Sequence, residues 1–148
     1  FIEGSVAVNI IAQYTCIMSE TFSVSRIMTA HVISVLPETT LLDAGKQLAT
    51  YKFNGLPVVD SNNILLGIVT EYDIIAHIGG HTGKKNNVLT VGEIMTKNPY
   101  TLSQDATLEE ALALFRDHRT VNPLPVIDKD HHVIGVVSRG DLLKEFQE

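Results

Sequence analysis

Leu56-Pro57-Val58-Val59-Asp60 and Leu124-Pro125-Val126-Ile127-Asp128 are nearly one pentapeptide written twice. At the same spacing of 68 residues, Gly67-Ile68-Val69-Thr70-Glu71-Tyr72-Asp73 matches Gly135-Val136-Val137-Ser138-Arg139-Gly140-Asp141. Toward the N-terminus, Ile27-Met28-Thr29 meets Ile94-Met95-Thr96, Thr40-Leu41 meets Thr107-Leu108, and Ala44 meets Ala111, all 67 residues apart. The second copy therefore carries one inserted residue before Leu124. Self-similarity sustained in order over this length marks a repeat architecture.

Each copy reads alike. A short strand at Val32 to Leu36, matched by Tyr100 to Ser103, precedes a helix opening at Thr40 or Thr107. Thr107-Leu108-Glu109-Glu110 has the form of a capping box, and Leu108, Ala111, Leu112 and Phe115 recur at helical spacing. Two apolar runs follow, Leu56 to Val59 and Leu65 to Val69, divided by the polar turn Asp60 to Asn63. Their counterparts are Leu124 to Ile127 and Val133 to Val137, divided by Asp128 to His131, and both pairs predict hairpins. A last helix is expected from Thr70 or Ser138, carrying Ile74, Ile75 and Ile78, or Leu142, Leu143 and Phe146.

The resulting organisation is an N-terminal extension over 1–24, repeat one over 25–80, a linker over 81–91 and repeat two over 92–148. Gly79 to Asn87 has the glycine and polar composition of a flexible connection. A unit of roughly 55 residues is marginal alone, so the two halves are expected to pack together and share a cleft. The extension reads equally as the tail of an upstream domain, a docking helix or part of an oligomer contact.

Composition narrows the function classes. With 148 residues the chain is long enough for one self-sufficient core. Its formal charge of −6 disfavours nucleic acid and anionic membranes. Any phosphate must then be held locally, by Lys84, Lys85, Arg119 or Arg139. The single cysteine, Cys16, cannot form an internal disulfide, which fits a reducing cytoplasm. Val6 to Met18, the longest apolar stretch, is too short and too interrupted to span a bilayer and lacks signal-peptide features. There is no nucleophile elbow, P-loop, dinucleotide fingerprint or Cys/His metal cluster, so the sequence does not read as an enzyme. His77 and His81 stand four apart, but Gly79-Gly80 between them breaks the helix, and they read as surface residues. His131 and His132 read as solvated turn residues, and Met28 and Met95 as core.

The ordered set Ile-Met-Thr, Thr-Leu, Leu-Pro-Val and Gly-x-Val-(Thr/Ser)-x-x-Asp, present twice, resembles the cystathionine β-synthase (CBS) domain family over about residues 25–147. The resemblance implies an α/β (α+β) fold of two tandem β-α-β-β-α repeats packed sheet to sheet with pseudo-two-fold symmetry. It also implies a regulatory module that senses an adenosine-containing nucleotide such as AMP, ADP, ATP or S-adenosylmethionine. No cofactor is required in this reading, and a homodimer and a regulated effector protein are the implied partners. By resemblance one site combines Thr70 and Asp73 with Tyr100, Asn122 and Pro123. The other combines Ser138, Arg139 and Asp141 with Ile33, Asn54 and Gly55. The aspartates would receive ribose hydroxyls, and Arg139, misplaced for the dipole of its own helix, would hold phosphate. Because Glu71 replaces Arg139 in the first copy, the Ser138/Arg139/Asp141 cleft is expected to take the more highly charged ligand. Pro123 stands where the family does not usually place proline, which bears on the shape of the Thr70/Asp73 pocket. Two plainer readings stand beside these. Thr70-x-x-Asp73 and Ser138-x-x-Asp141 are also capping boxes that need no ligand, and the pair could be a ligand-free structural module for dimerisation or partner docking.

Overall fold

The computed structural model describes residues 23–78 and 89–145. Cys16, His81, Lys84, Lys85, Phe146, nearly all of the N-terminal extension and most of the linker lie outside the described residues. In chain order a 3-10 turn at Val24–Arg26 precedes α1 (Leu41–Tyr51), β1 (Gly55–Val59), β2 (Leu65–Thr70) and α2 (Glu71–Ile78). The second copy runs through α3 (Val91–Ile94), β3 (Thr96–Lys97), β4 (Leu102–Ser103), α4 (Leu108–Asp117), β5 (Leu124–Ile127), β6 (Val133–Val137) and α5 (Arg139–Lys144). The outcome is a mixed α/β molecule with two three-stranded sheets.

The helices begin where their caps dictate. Thr107 Oγ1 accepts from the Glu110 N–H at 3.2 Å, and Glu110 Oε2 accepts from the Thr107 N–H at 2.9 Å, so two otherwise orphaned amides are satisfied. Thr40 Oγ1 accepts from the Asp43 N–H in the same way. Behind these caps Leu41, Ala44 and Leu48 bury one face of α1, and Leu108, Ala111 and Phe115 one face of α4.

The hairpins form as predicted: β1 pairs antiparallel with β2, and β5 with β6, each with an irregularity at the equivalent step. The turns share one device. Asp60 Oδ1 accepts the N–H groups of Asn62 and Ile64, and Asp128 Oδ1 those of Asp130 and His132.

The first strands are shorter than expected. Val35 alone bridges to Val58, and only Leu102–Ser103 form a ladder with β5. Each run gives way to side-chain-held turns at its C-terminal side: the Leu36 N–H donates to Thr39 Oγ1, and just past the second run the Asp105 N–H donates to Ser103 Oγ. Tyr100 falls outside any strand.

One feature of the topology has no signature in a single repeat. The segment that begins each copy docks on the other copy. Thr96–Lys97 adds to β2 as the third strand of the first sheet, and Thr29 bridges to Val136 of β6. The exchange is mirrored in hydrogen bonds: the Val24 N–H donates to the Ala106 carbonyl at 2.7 Å, and the Val91 N–H to the Thr39 carbonyl at 2.8 Å. Val24 is fully buried in the second repeat's core, with Ile27 and Met28 packed beside it. Val91 is fully buried in the first repeat's core, beside Ile94 and Met95. Each such valine contributes about 1.5–3 kcal/mol of burial, so neither core is complete without the other copy's chain.

Between the repeats Val59, Leu65, Ile127 and Val133 form a small shared core. Beside it the Leu65 N–H donates to the His131 carbonyl at 3.1 Å and the Val133 N–H to the Asn63 carbonyl at 3.2 Å. These two bonds interchange under the 68-residue register, which is pseudo-two-fold symmetry at the level of single atoms.

Candidate functional site

The Thr70/Asp73 pair opens α2. The Asp73 N–H donates to Thr70 Oγ1 at 3.2 Å, and Asp73 Oδ2 accepts from the Thr70 N–H at 2.9 Å. The capping reading is thus correct. It engages one carboxylate oxygen, Oδ2.

This helix start lies in a cleft of about 760 Å³ between the repeats. Ile68, Thr70, Tyr72 and Asp73 line it from the first repeat. Tyr100, Asn122 and Pro123 line it from the second, with Thr96, Asn98, Pro99, Thr120 and Val121. All five residues assigned to this site from the sequence are therefore brought together. Tyr100 stacks on His118 with ring centroids 4.0 Å apart, and the exposed Tyr72 and half-exposed Tyr100 give the walls flat aromatic surface suited to a heterocycle. A carboxylate that can accept hydrogen bonds from two hydroxyls, set between aromatic faces, suits a nucleoside.

Several lining residues escaped the sequence reading. Tyr72 lay in plain view between Thr70 and Asp73. Thr96, Asn98 and Pro99 enter the cleft only because their segment crosses to the first repeat's sheet, which the repeat pattern does not announce.

The second set is arranged differently. Ser138 and Asp141 form the equivalent capping box, with the Ser138 N–H 2.8 Å from Asp141 Oδ2 and the Asp141 N–H 3.1 Å from Ser138 Oγ. Ile33 packs on the first repeat's core, Asn54 uses its carbonyl to accept the Glu71 N–H, and Gly55 lies against Pro123, whose Cδ would be 2.8 Å from any added Cβ. The Arg139 guanidinium is turned back onto its own repeat, where it donates to the carbonyls of His118 and Arg119 and lies 5.8 Å from the Phe115 ring centroid.

The histidines divide. His77 Nδ1 lies 2.8 Å from the Asp73 carbonyl. His131 and His132 are more than solvated turn residues: the carbonyl of His131 joins the repeats, and Ile64 bridges to His132. The His132 N–H donates to Asp128, and this bond leads the interactions that hold the Asp128 carboxyl below its ordinary range. Ligating atoms of Asp128, Asp130 and His132 lie within 4.8 Å of one another, but both Asp128 oxygens already serve the turn. Among the described residues no helix is long and apolar enough to cross a membrane.

The chain is 38% identical over 113 residues to inosine-5'-monophosphate dehydrogenase of Methanocaldococcus jannaschii, matching 76% of this chain and 21% of that enzyme. It is 30% identical to the chloroplastic CBS domain-containing protein CBSX2 of Arabidopsis thaliana, over 77% of this chain and 57% of that protein. The chain thus spans about a fifth of the first relative and somewhat over half of the second. Among solved structures, CBSX2 in complex with AMP superposes with a TM-score of 0.74 at 33% identity, covering 83% of this chain and 94% of that one. The CBS domain pair of protein MJ0100, in complex with 5'-methylthioadenosine and S-adenosyl-L-methionine, superposes with a TM-score of 0.75 at 27% identity, covering 85% and 96%. The CBS domain model matches residues 24–80 and again 91–148, and the chain belongs to that family as a tandem pair.

Proposed function

We propose that this chain is a regulatory module that senses an adenosine-containing nucleotide in the Thr70/Asp73 cleft. The observation that carries the reading is the meeting of Thr70 and Asp73 from one repeat with Tyr100, Asn122 and Pro123 from the other around one cavity. The AMP and S-adenosylmethionine complexes of similar CBS pairs support the ligand class. Asp73 Oδ1 receives the ribose hydroxyls, and Tyr100 and Pro123 flank the base. Ser138, Arg139 and Asp141, with Ile33, Asn54 and Gly55, form a lesser second site, because Arg139 is engaged elsewhere. The Thr70/Asp73 cleft, rather than the second one, is then the principal site.

A ligand touching both repeats favours one relative orientation of them and shifts a pre-existing equilibrium. In this reading the chain regulates and does not catalyse, works in the cytoplasm, and needs no cofactor beyond its nucleotide signal. Tyr72, Ile75 and Ile78 of α2 and Leu143 of α5 are exposed, which supports a homodimer that passes the signal to an effector protein.

Calorimetric titration with AMP and S-adenosylmethionine tests the proposal. Wild type binds at least one of them, and Asp73→Ala, with its fold verified by circular dichroism, weakens binding about tenfold or more, the value of a hydrogen-bonded charge. Absence of binding by wild type to either ligand would overturn the reading.

A further inference from the structure

The ends of the two long helices are closed by different means. At the end of α1, Lys52 adopts a left-handed conformation with φ of 57°, and the Phe53 N–H returns to the Leu48 carbonyl at 3.1 Å. The backbone caps itself there. At the end of α4, His118 has φ of −129° and ψ of 87°, so the left-handed turn is not repeated, although the His118 N–H still returns to the Leu114 carbonyl. The residue by which the second copy exceeds the first falls between Ala111 and Leu124, in the stretch that contains this helix end.

The Val121 N–H closes part of this end by donating to the His118 carbonyl at 3.1 Å, and Arg139 supplies the rest. Its guanidinium donates to the carbonyls of His118 and Arg119, where a cation meets the negative end of the α4 dipole. This resolves the oddity of an arginine in the first turn of α5, since its charge sits at the end of another helix. Its main-chain N–H donates to Asn122 Oδ1 at 3.0 Å. The segment gripped at these points includes Thr120, Val121, Asn122 and Pro123, one wall of the cleft, and His118 carries the Tyr100 ring at 4.0 Å. The first copy has Glu71 in this place, which offers no guanidinium.

We infer that Arg139 is a positioning residue for the adenosine cleft, holding the 118–122 segment and, through His118, the Tyr100 ring. The inference rests on the ligand reading above and assigns Arg139 to the far side of the Thr70/Asp73 site, away from phosphate. Titration of the full chain with AMP and with adenosine separates the two roles. Arg139→Ala weakens both ligands by the same factor, about tenfold, the value of a hydrogen-bonded charge. Arg139→Lys, which keeps a cation with freely rotating donors, recovers affinity to within about threefold of wild type. By NMR the His118 ring protons, shielded by Tyr100, shift downfield in Arg139→Ala and return in Arg139→Lys. Should Arg139→Ala not fold, Arg139→Gln is judged by the same criteria.

Loss of AMP affinity with adenosine affinity intact would make Arg139 a direct phosphate ligand and overturn the inference. So would unchanged affinity for both. If wild type binds neither ligand, the functional reading fails by itself. The His118 shift then decides the positioning role, an unchanged resonance overturning it.

Discussion

At the scale of single residues, Gly67 and Gly135 show how a matched position acquires its reason only in three dimensions. A Cβ on Gly67 would lie 2.6 Å from the Thr96 carbonyl oxygen and 2.8 Å from Met95 Sδ, and one on Gly135 would meet Met28 and Thr29. Backbone oxygen cannot retreat as a side chain can, so Gly67→Ala forces the exchanged strand off the sheet. We expect a loss of about 2 kcal/mol in urea unfolding, the usual cost of overpacking; a loss below about 0.5 kcal/mol would show that the strand yields freely. Both glycines were visible as repeat members, but their neighbours come from the opposite copy, beyond the reach of local pattern. The same distinction governs the site. Thr70, Asp73, Tyr100, Asn122 and Pro123 are placed together by the sequence reading and meet in one cleft, where the capping box fixes the direction of Thr70 and Asp73. Arg139 was assigned to phosphate and found on carbonyls, because the path of a long side chain depends on acceptors that only the folded helix end supplies.

Among the elements, those announced by capping and alternation were legible. Both long helices start behind their threonines, and β5 and β6 span the residues expected of them. The first strands come out shorter than the apolar pattern predicts; in the first copy Thr39 Oγ1 intercepts the Leu36 amide that the pattern allots to a ladder. The short helix Val91–Ile94 carried no periodic signal, since a single turn is too brief to show one. The C-terminus of α1 offers a test at this scale. Lys52 is exposed and pays the steric cost of a side chain at positive φ, so Lys52→Gly is expected to raise stability by about 0.5–1 kcal/mol, read as a higher melting temperature. A lower one would mean that the lysine side chain, and not the backbone turn, holds this end.

For the whole molecule, the traded opening segments couple the repeats more tightly than their modest shared core would. Val24 belongs to one core and Val91 to the other, so loosening either repeat uncovers apolar surface in its mate. Thermal unfolding is therefore expected as one transition, with far-UV circular dichroism and tyrosine fluorescence giving coincident curves; two resolved steps would show that the repeats stand independently. The fold was legible as two equal units and as their packing, yet not as an exchange, because an internal repeat states what is copied and not which copy receives it.

That reciprocity carries a further meaning for how the chain could be divided. Were the peptide severed between Ile78 and Leu89, each fragment would leave with a plug shaped for the other's vacancy and without its own. The fragments would be obligate complements, and reunion, not solitary folding, would be the route by which either regained its native form.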